Sequence, residues 1–153
     1  MSLPVIENIL ARLETNVNAI TTGNGYNQTL TAIRPKRLNI EDQLNKDLVV
    51  LIVQQPTPNV IRQAISKKVL AQLVDLTAVV IDSDEAVTSI ETRINKVRSD
   101  IEKKIRSDPT ANGLAEDITI ESIEYLTGTK ATGVKVVLKV VYSTLYDNPY
   151  TQA

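Results

Sequence analysis

The sequence predicts an α+β domain, a mostly antiparallel sheet of four or five strands carrying two helices on one face. Three observations carry that class. Val134, Val136, Leu138, Val140 and Tyr142 alternate with Lys135, Lys139 and Ser143, the period-two pattern of a strand with one buried face. Leu48-Val49-Val50-Leu51-Ile52-Val53 is a short, unbroken apolar run rich in β-branched residues, which fits a strand buried on both faces and central in the sheet. Two further stretches repeat apolar residues every three or four positions, the spacing of one helix face.

At 153 residues the chain fits a single domain over 1–153, with an ordered core of about 3–147 and a short C-terminal tail. A chain of this size buries roughly 68–70% of its unfolded surface and holds a core without staples. Cysteine and histidine are both absent, which removes disulfides, thiolate metal sites, thiol nucleophiles and the commonest general base. No cofactor and no metal is expected. Phe and Trp are absent too, so the core must be aliphatic. The net charge of −1 gives no long-range pull on nucleic acid or an anionic membrane, so neither a membrane nor sequence-specific nucleic acid is an expected partner. The N-terminal residues lack a basic region followed by an apolar run, so a cytoplasmic start is expected.

Leu3, Ile6, Ile9, Leu10, Leu13, Val17 and Ile20 mark a first helix, with Ser2 as N-cap and Pro4 in the first turn; Gly23-Asn24-Gly25 stops it. Those glycines do not make a phosphate loop, because Gln28 takes the third glycine position and a helix precedes them where a strand belongs. Residues 26–33 predict a first strand. Residues 35–46 are polar; Arg34, Lys36 and Arg37 cluster without interleaved aromatics, so a solvated connection is favoured over a phosphate patch. Pro56 and Pro58 exclude a regular element over 54–59.

Polar residues then lead into a long strand over 68–81. Leu70, Leu73, Val74 and Leu76 also suit a helix, but the β-branched end Thr77-Ala78-Val79-Val80-Ile81 favours the strand. A second helix is expected from Asp82, which has capping-box spacing to Glu85. Its stripe is Ala86, Ile90, Ile94, Val97, Ile101 and Ile105, and Pro109 ends it. A hairpin follows over 117–146. Ile118-Thr119-Ile120 and Ile123-Glu124-Tyr125 alternate in opposite phases, which predicts a bulge near Glu121-Ser122. Gly128 and Gly133 bracket an open loop.

Catalytic patterns are lacking. Asp82, Asp84 and Glu85 stand at a helix start, where the backbone itself favours acidic side chains. Glu121 and Glu124 flank the bulge and are expected on opposite sides. No serine or threonine has a base at motif spacing, so catalysis is not expected.

A helix closed by Gly23-Asn24-Gly25-Tyr26, a strand ending in Arg34-Pro35, a long strand and an amphipathic helix come in that order. The link Asp108-Pro109-Thr110-Ala111-Asn112-Gly113-Leu114-Ala115-Glu116-Asp117-Ile118 follows, then a hairpin ending in Val140-Val141-Tyr142 and Asp147-Asn148-Pro149-Tyr150. This order resembles the small phage tail-terminator and head–tail joining (minor tail) proteins. The resemblance implies a structural, non-enzymatic protein of the virion tail, assembled in the bacterial host cytoplasm. It implies a homo-oligomeric ring, commonly a hexamer, that caps the tail tube and meets the head connector. Its partners would be itself, the tail-tube protein and the head-completion or connector protein. The alternative is a small non-enzymatic ligand- or partner-binding α+β domain of a bacterium; an enzyme using carboxylates comes third.

A ring subunit needs two different patches, one at each side. One is expected in the polar arm over 54–68, with Arg62 and Lys67. The other is expected at Tyr142, Tyr146 and Tyr150, since tyrosine is enriched at protein interfaces.

Overall fold

The computed structural model describes residues 3–35, 46–81, 89–127 and 132–153. Helix α1 spans Val5–Asn18 and buries Val5, Ile9, Leu10, Leu13 and Val17. Pro4 occupies the position before the helix rather than its first turn, and no side chain caps it; Ser2 lies outside the described residues. A 3-10 turn over Thr22–Asn24 follows, ending at Gly25, whose φ of 89° lies in the left-handed region that glycine adopts without strain.

Strand β1 is only Thr31–Ile33, shorter than the expected 26–33. The reason lies upstream. The backbone N–H groups of Asn27 and Gln28 donate to the Asp100 carboxylate at 3.1 and 2.8 Å. They are therefore not free for a strand ladder. β1 pairs in parallel with β2, Val49–Gln54. The apolar run is thus a strand buried on both faces, but it lies one place in from the edge and not at the centre.

The centre belongs to β4, Lys67–Val80, and β6, Thr132–Leu145. They pair antiparallel along their whole length, from Lys67 opposite Leu145 to Val80 opposite Thr132. Each long strand carries two short strands end to end on its outer edge. β2 lies along the Val80 end of β4, and β3, Asn59–Gln63, lies along the Lys67 end. β5, Asp117–Leu126, and β7, Asn148–Gln152, divide the outer edge of β6 in the same way. The described residues therefore form a curled sheet of seven strands, more than the four or five expected, antiparallel except for β1 with β2. β3 forms where an irregular arm was expected, because Pro56 and Pro58 fall in the connection before it.

The gap between β2 and β3 is closed by Gln72, which is 0% exposed. Its Nε2 donates to the carbonyls of Gln55 at 2.6 Å and Leu73 at 3.1 Å, and its Oε1 accepts from Gln54 Nε2 at 3.2 Å. A buried amide is tolerated when its donors and acceptor are all used.

Helix α2 spans Ile90–Ser107, capped by the Ser89 hydroxyl, which accepts from Thr92 N–H at 3.3 Å. Ser89 itself has extended backbone, so this helix starts there; the expected start at Asp82, with Glu85 and Ala86, lies outside the described residues. Ile94, Val97, Ile101 and Ile105 join the α1 stripe on Val74, Leu76, Ala78, Val134, Val136, Leu138 and Val140. Both helices therefore sit on one face, as expected. The bulge falls between Ile120 and Ser122. It shifts the phase of β5 so that Ile118, Ile120 and Ile123 all pack on the helix side. Residues 128–131 of the expected loop lie outside the described residues. Among the described residues no helix is long and apolar enough to cross a membrane.

Candidate interaction surface

Several of the described carboxylates do structural work, among them Glu124, one of the acids singled out in the sequence. Asp100 is buried and accepts three hydrogen bonds from Asn27 and Gln28. Asp108 accepts from Arg12 Nε at 2.9 Å, Asn16 Nδ2 at 2.8 Å and Asn112 N–H at 2.9 Å. Burial pushes the Asp108 carboxyl up, but those donors together outweigh it and hold it below its ordinary value. Glu124 pairs with Lys135 at 3.6 Å. Arg34 makes a two-pronged bond to Glu7, at 2.9 and 3.3 Å, which accounts for one member of the basic cluster; Lys36 and Arg37 lie outside the described residues, as do Asp82, Asp84 and Glu85. Among the described residues no three acidic side chains come together as a metal site.

What stands out instead is apolar surface. Among the described residues seven large hydrophobic side chains are exposed, and five of them, Val60, Ile61, Ile65, Tyr146 and Tyr150, belong to the segments at one end of the long strands. Two signals place them there. β3 and the start of β4 form a hairpin closed by Ala64 N–H donating to the Lys67 carbonyl at 2.8 Å, which leaves Ile65 at the apex, 100% exposed. The last turn of the chain is fastened beside it: Lys68 Nζ lies 5.4 Å from the centre of the Tyr146 ring. β7 is held by Gln152 Nε2 donating to the Gly113 carbonyl at 2.6 Å and Ser143 Oγ donating to the Ala153 carbonyl at 3.1 Å. Residues 148–152 are thus a paired strand and not a free tail.

The residues expected at an interface distribute unequally. Arg62, Lys67, Tyr146 and Tyr150 gather at this one end. Lys67 pairs with Glu116 at 3.1 Å, and that hydrogen bond holds the Glu116 carboxyl below its ordinary value. Tyr142 is different: it is 6% exposed, packs in the core, and burial pushes its phenol above the ordinary value. Its even-numbered phase in β6 makes it a core residue, not a surface one. The two expected patches therefore lie at the same end of the long strands.

At the opposite end a cavity of about 410 Å³ opens between the first turns of α2 and the end of β5. Ile90, Ile94, Leu126 and the Tyr125 ring wall it, with Glu91 and Thr127 at its border. The Tyr125 hydroxyl accepts from Arg98 Nη1 at 2.7 Å and donates to Asn95 Oδ1 at 3.3 Å, which fixes the ring. No sequence signal marked this cavity, because its walls come from segments far apart in the chain. The exposed arm isoleucines, Ile61 and Ile65, were not singled out either; apolar residues inside a polar stretch are the signal that could have found them.

No protein-family model matches the chain, and no curated protein matches it in sequence.

Proposed function

We propose that the chain is a structural phage or prophage tail protein, a tail terminator or close relative, which works as a homo-oligomeric ring and has no catalytic role. The order of elements and the Asp108–Ile118 link support the reading by their resemblance to that class. The observation that carries it is the concentration of exposed apolar side chains on the arm end. Apolar surface gathered in one place marks an interaction site rather than ordinary surface. Function on this reading is geometric: a closed ring ends growth of the tail tube and offers the head connector a fixed docking surface. The virion tail is its place of work, and the tail-tube and head-completion proteins are its partners.

The test adds the purified protein to polymerising tail-tube protein and views the product by electron microscopy. Rings at tube ends and shorter tubes are expected. Unchanged tube lengths with no rings, alone or on tubes, would remove the reading.

A second reading, a small ligand-binding domain, draws on the cavity beside α2, whose volume falls within the roughly 300–1,000 Å³ of small-molecule pockets. Tight binding of an apolar small molecule by a protein that never self-associates would favour it.

A further inference from the structure

We propose that copies of this chain associate head to tail, the arm of one copy, with Ile65 at its apex and Ile61 on the strand behind it, docking at the cavity walled by Ile90, Ile94 and Leu126 of the next. The inference rests on the ring reading and supplies the second surface that the ring requires.

Four observations converge. Ile65 stands wholly exposed at the apex of a two-residue turn, with Val60 and Ile61 half-exposed on the strand behind it. Among the described residues Ile65 packs against nothing. The cavity is apolar, and its Tyr125 wall is fixed by hydrogen bonds, so it is formed before anything enters. Knob and cavity lie at opposite ends of the 14-residue strands β4 and β6, about 40 Å of strand at roughly 3.3 Å per residue. The arm of one copy therefore cannot reach that copy's own cavity. Charge also matches: Arg62 flanks the knob and Glu91 borders the cavity. Two unlike surfaces of one chain that fit each other make a heterologous contact, which closes into a ring or runs on as a filament.

Two variants separate the halves of the contact. Ile61→Asp with Ile65→Asp spoils the knob; Glu91→Arg with Thr127→Arg blocks the cavity. All four positions are exposed, so both variants are expected to keep the wild-type circular-dichroism spectrum. Sedimentation of the wild type should show assembly, and each variant alone should associate at least tenfold more weakly. An equimolar mixture of the two should form a two-chain species and nothing larger, since it holds one intact knob and one intact cavity per pair. If the knob variant dissociates while the cavity variant still assembles, the proposal is overturned and the ring reading stands with a different second surface. A wild type that is monomeric at all concentrations and also forms no ring on tail tubes removes both. A monomer that binds the dye anilinonaphthalene sulfonate, with binding lost on Thr127→Arg, assigns the cavity to a small ligand and likewise overturns the proposal.

Discussion

Tyr146 donates its backbone N–H to the carbonyl of Ser66 at 3.1 Å, which ties the last turn of the chain to the apex of the arm. The bond extends the ladder beyond Lys67 and Leu145, the final paired residues of β4 and β6. The arm is therefore not a free hairpin. Its root is braced by the C-terminal segment, whose exposed tyrosines lie at the same end of the long strands as the arm isoleucines.

That bracing predicts the effect of removing residues 148–153. The truncation deletes β7 and its bonds to Gly113 and Ser143 but leaves the β4–β6 pairing whole. Self-association should weaken while the circular-dichroism spectrum stays near wild type. Light scattering measures the mass; an unchanged particle would mean that this end takes no part in assembly.

The helix stripe gives a second prediction. Val97 is fully buried in the core, so Val97→Asp places an unpaired charge among aliphatic side chains and should cost several kcal/mol, enough to unfold the domain. Lys96→Ala, one residue away on the helix, should change stability by less than about 0.5 kcal/mol. Equal melting temperatures for the two variants would mean that the stripe faces elsewhere.

Asp100 predicts something the stripe does not. Its carboxylate satisfies the N–H groups of Asn27 and Gln28 in a loop that makes no strand pairing. Asp100→Ala removes the acceptor of both donors; water can replace it at exposed Asn27, so the cost should be about 1–3 kcal/mol in total, set mainly by half-buried Gln28. Asp100→Asn keeps an accepting oxygen and should cost less. Urea unfolding ranks the two, and equal losses would show that the loop finds other partners.

Local patterns were legible wherever one residue's neighbours in sequence are also its neighbours in space. The alternation from Val134 to Tyr142, the bulge near Glu121 and the described parts of the α1 and α2 stripes emerge at their expected positions because period and phase are local properties; Leu3, expected on the α1 stripe, instead lies before the helix and is exposed. Strand count and edge position were not legible. β3 and β7 exist because long β4 and β6 offer free edges, and nothing within Asn59–Gln63 or Asn148–Gln152 announces that. Tyr142 was misjudged as surface because tyrosine type was weighed above its phase in the strand. The cavity was invisible for the same reason as β3: it is made by an encounter between distant segments.

Gly133 illustrates a close approach that only the pairing reveals. A Cβ at this position would collide with the backbone carbonyl of Ala78, the residue before Val79, its partner in β4. Backbone cannot step aside as a flexible side chain does. Gly133→Ala should therefore destabilise the domain by about 1–3 kcal/mol, the usual cost of forcing an extra carbon into a packed site. Thermal unfolding tests this, and a neutral result would show that the β4–β6 spacing relaxes at its end.

Acid should weaken the fold, and Asp108 should be one cause. Its donors hold the folded carboxyl below the ordinary value of 3.8, while the unfolded chain returns it to that value. The unfolded state then binds more protons through the window between the two values, so stability rises with pH across it. The contribution is complete above the ordinary carboxylate value and is lost as pH falls through the lowered one. Glu7, held down by its bond to Arg34, and Glu116, held down by Lys67, act in the same direction and are more weakly coupled because they lie near solvent. Asp108→Asn isolates one group. It removes the charge that Arg12 and Asn16 address but keeps the shape, so the variant should be less stable than wild type at neutral pH. Once the wild-type carboxyl is itself protonated, that difference should shrink toward zero. Urea unfolding of both proteins from about pH 7 down to about pH 2.5 measures it. A gap that stays constant across the whole range would mean that Asp108 contributes through its shape and its neutral hydrogen bonds, not through its charge.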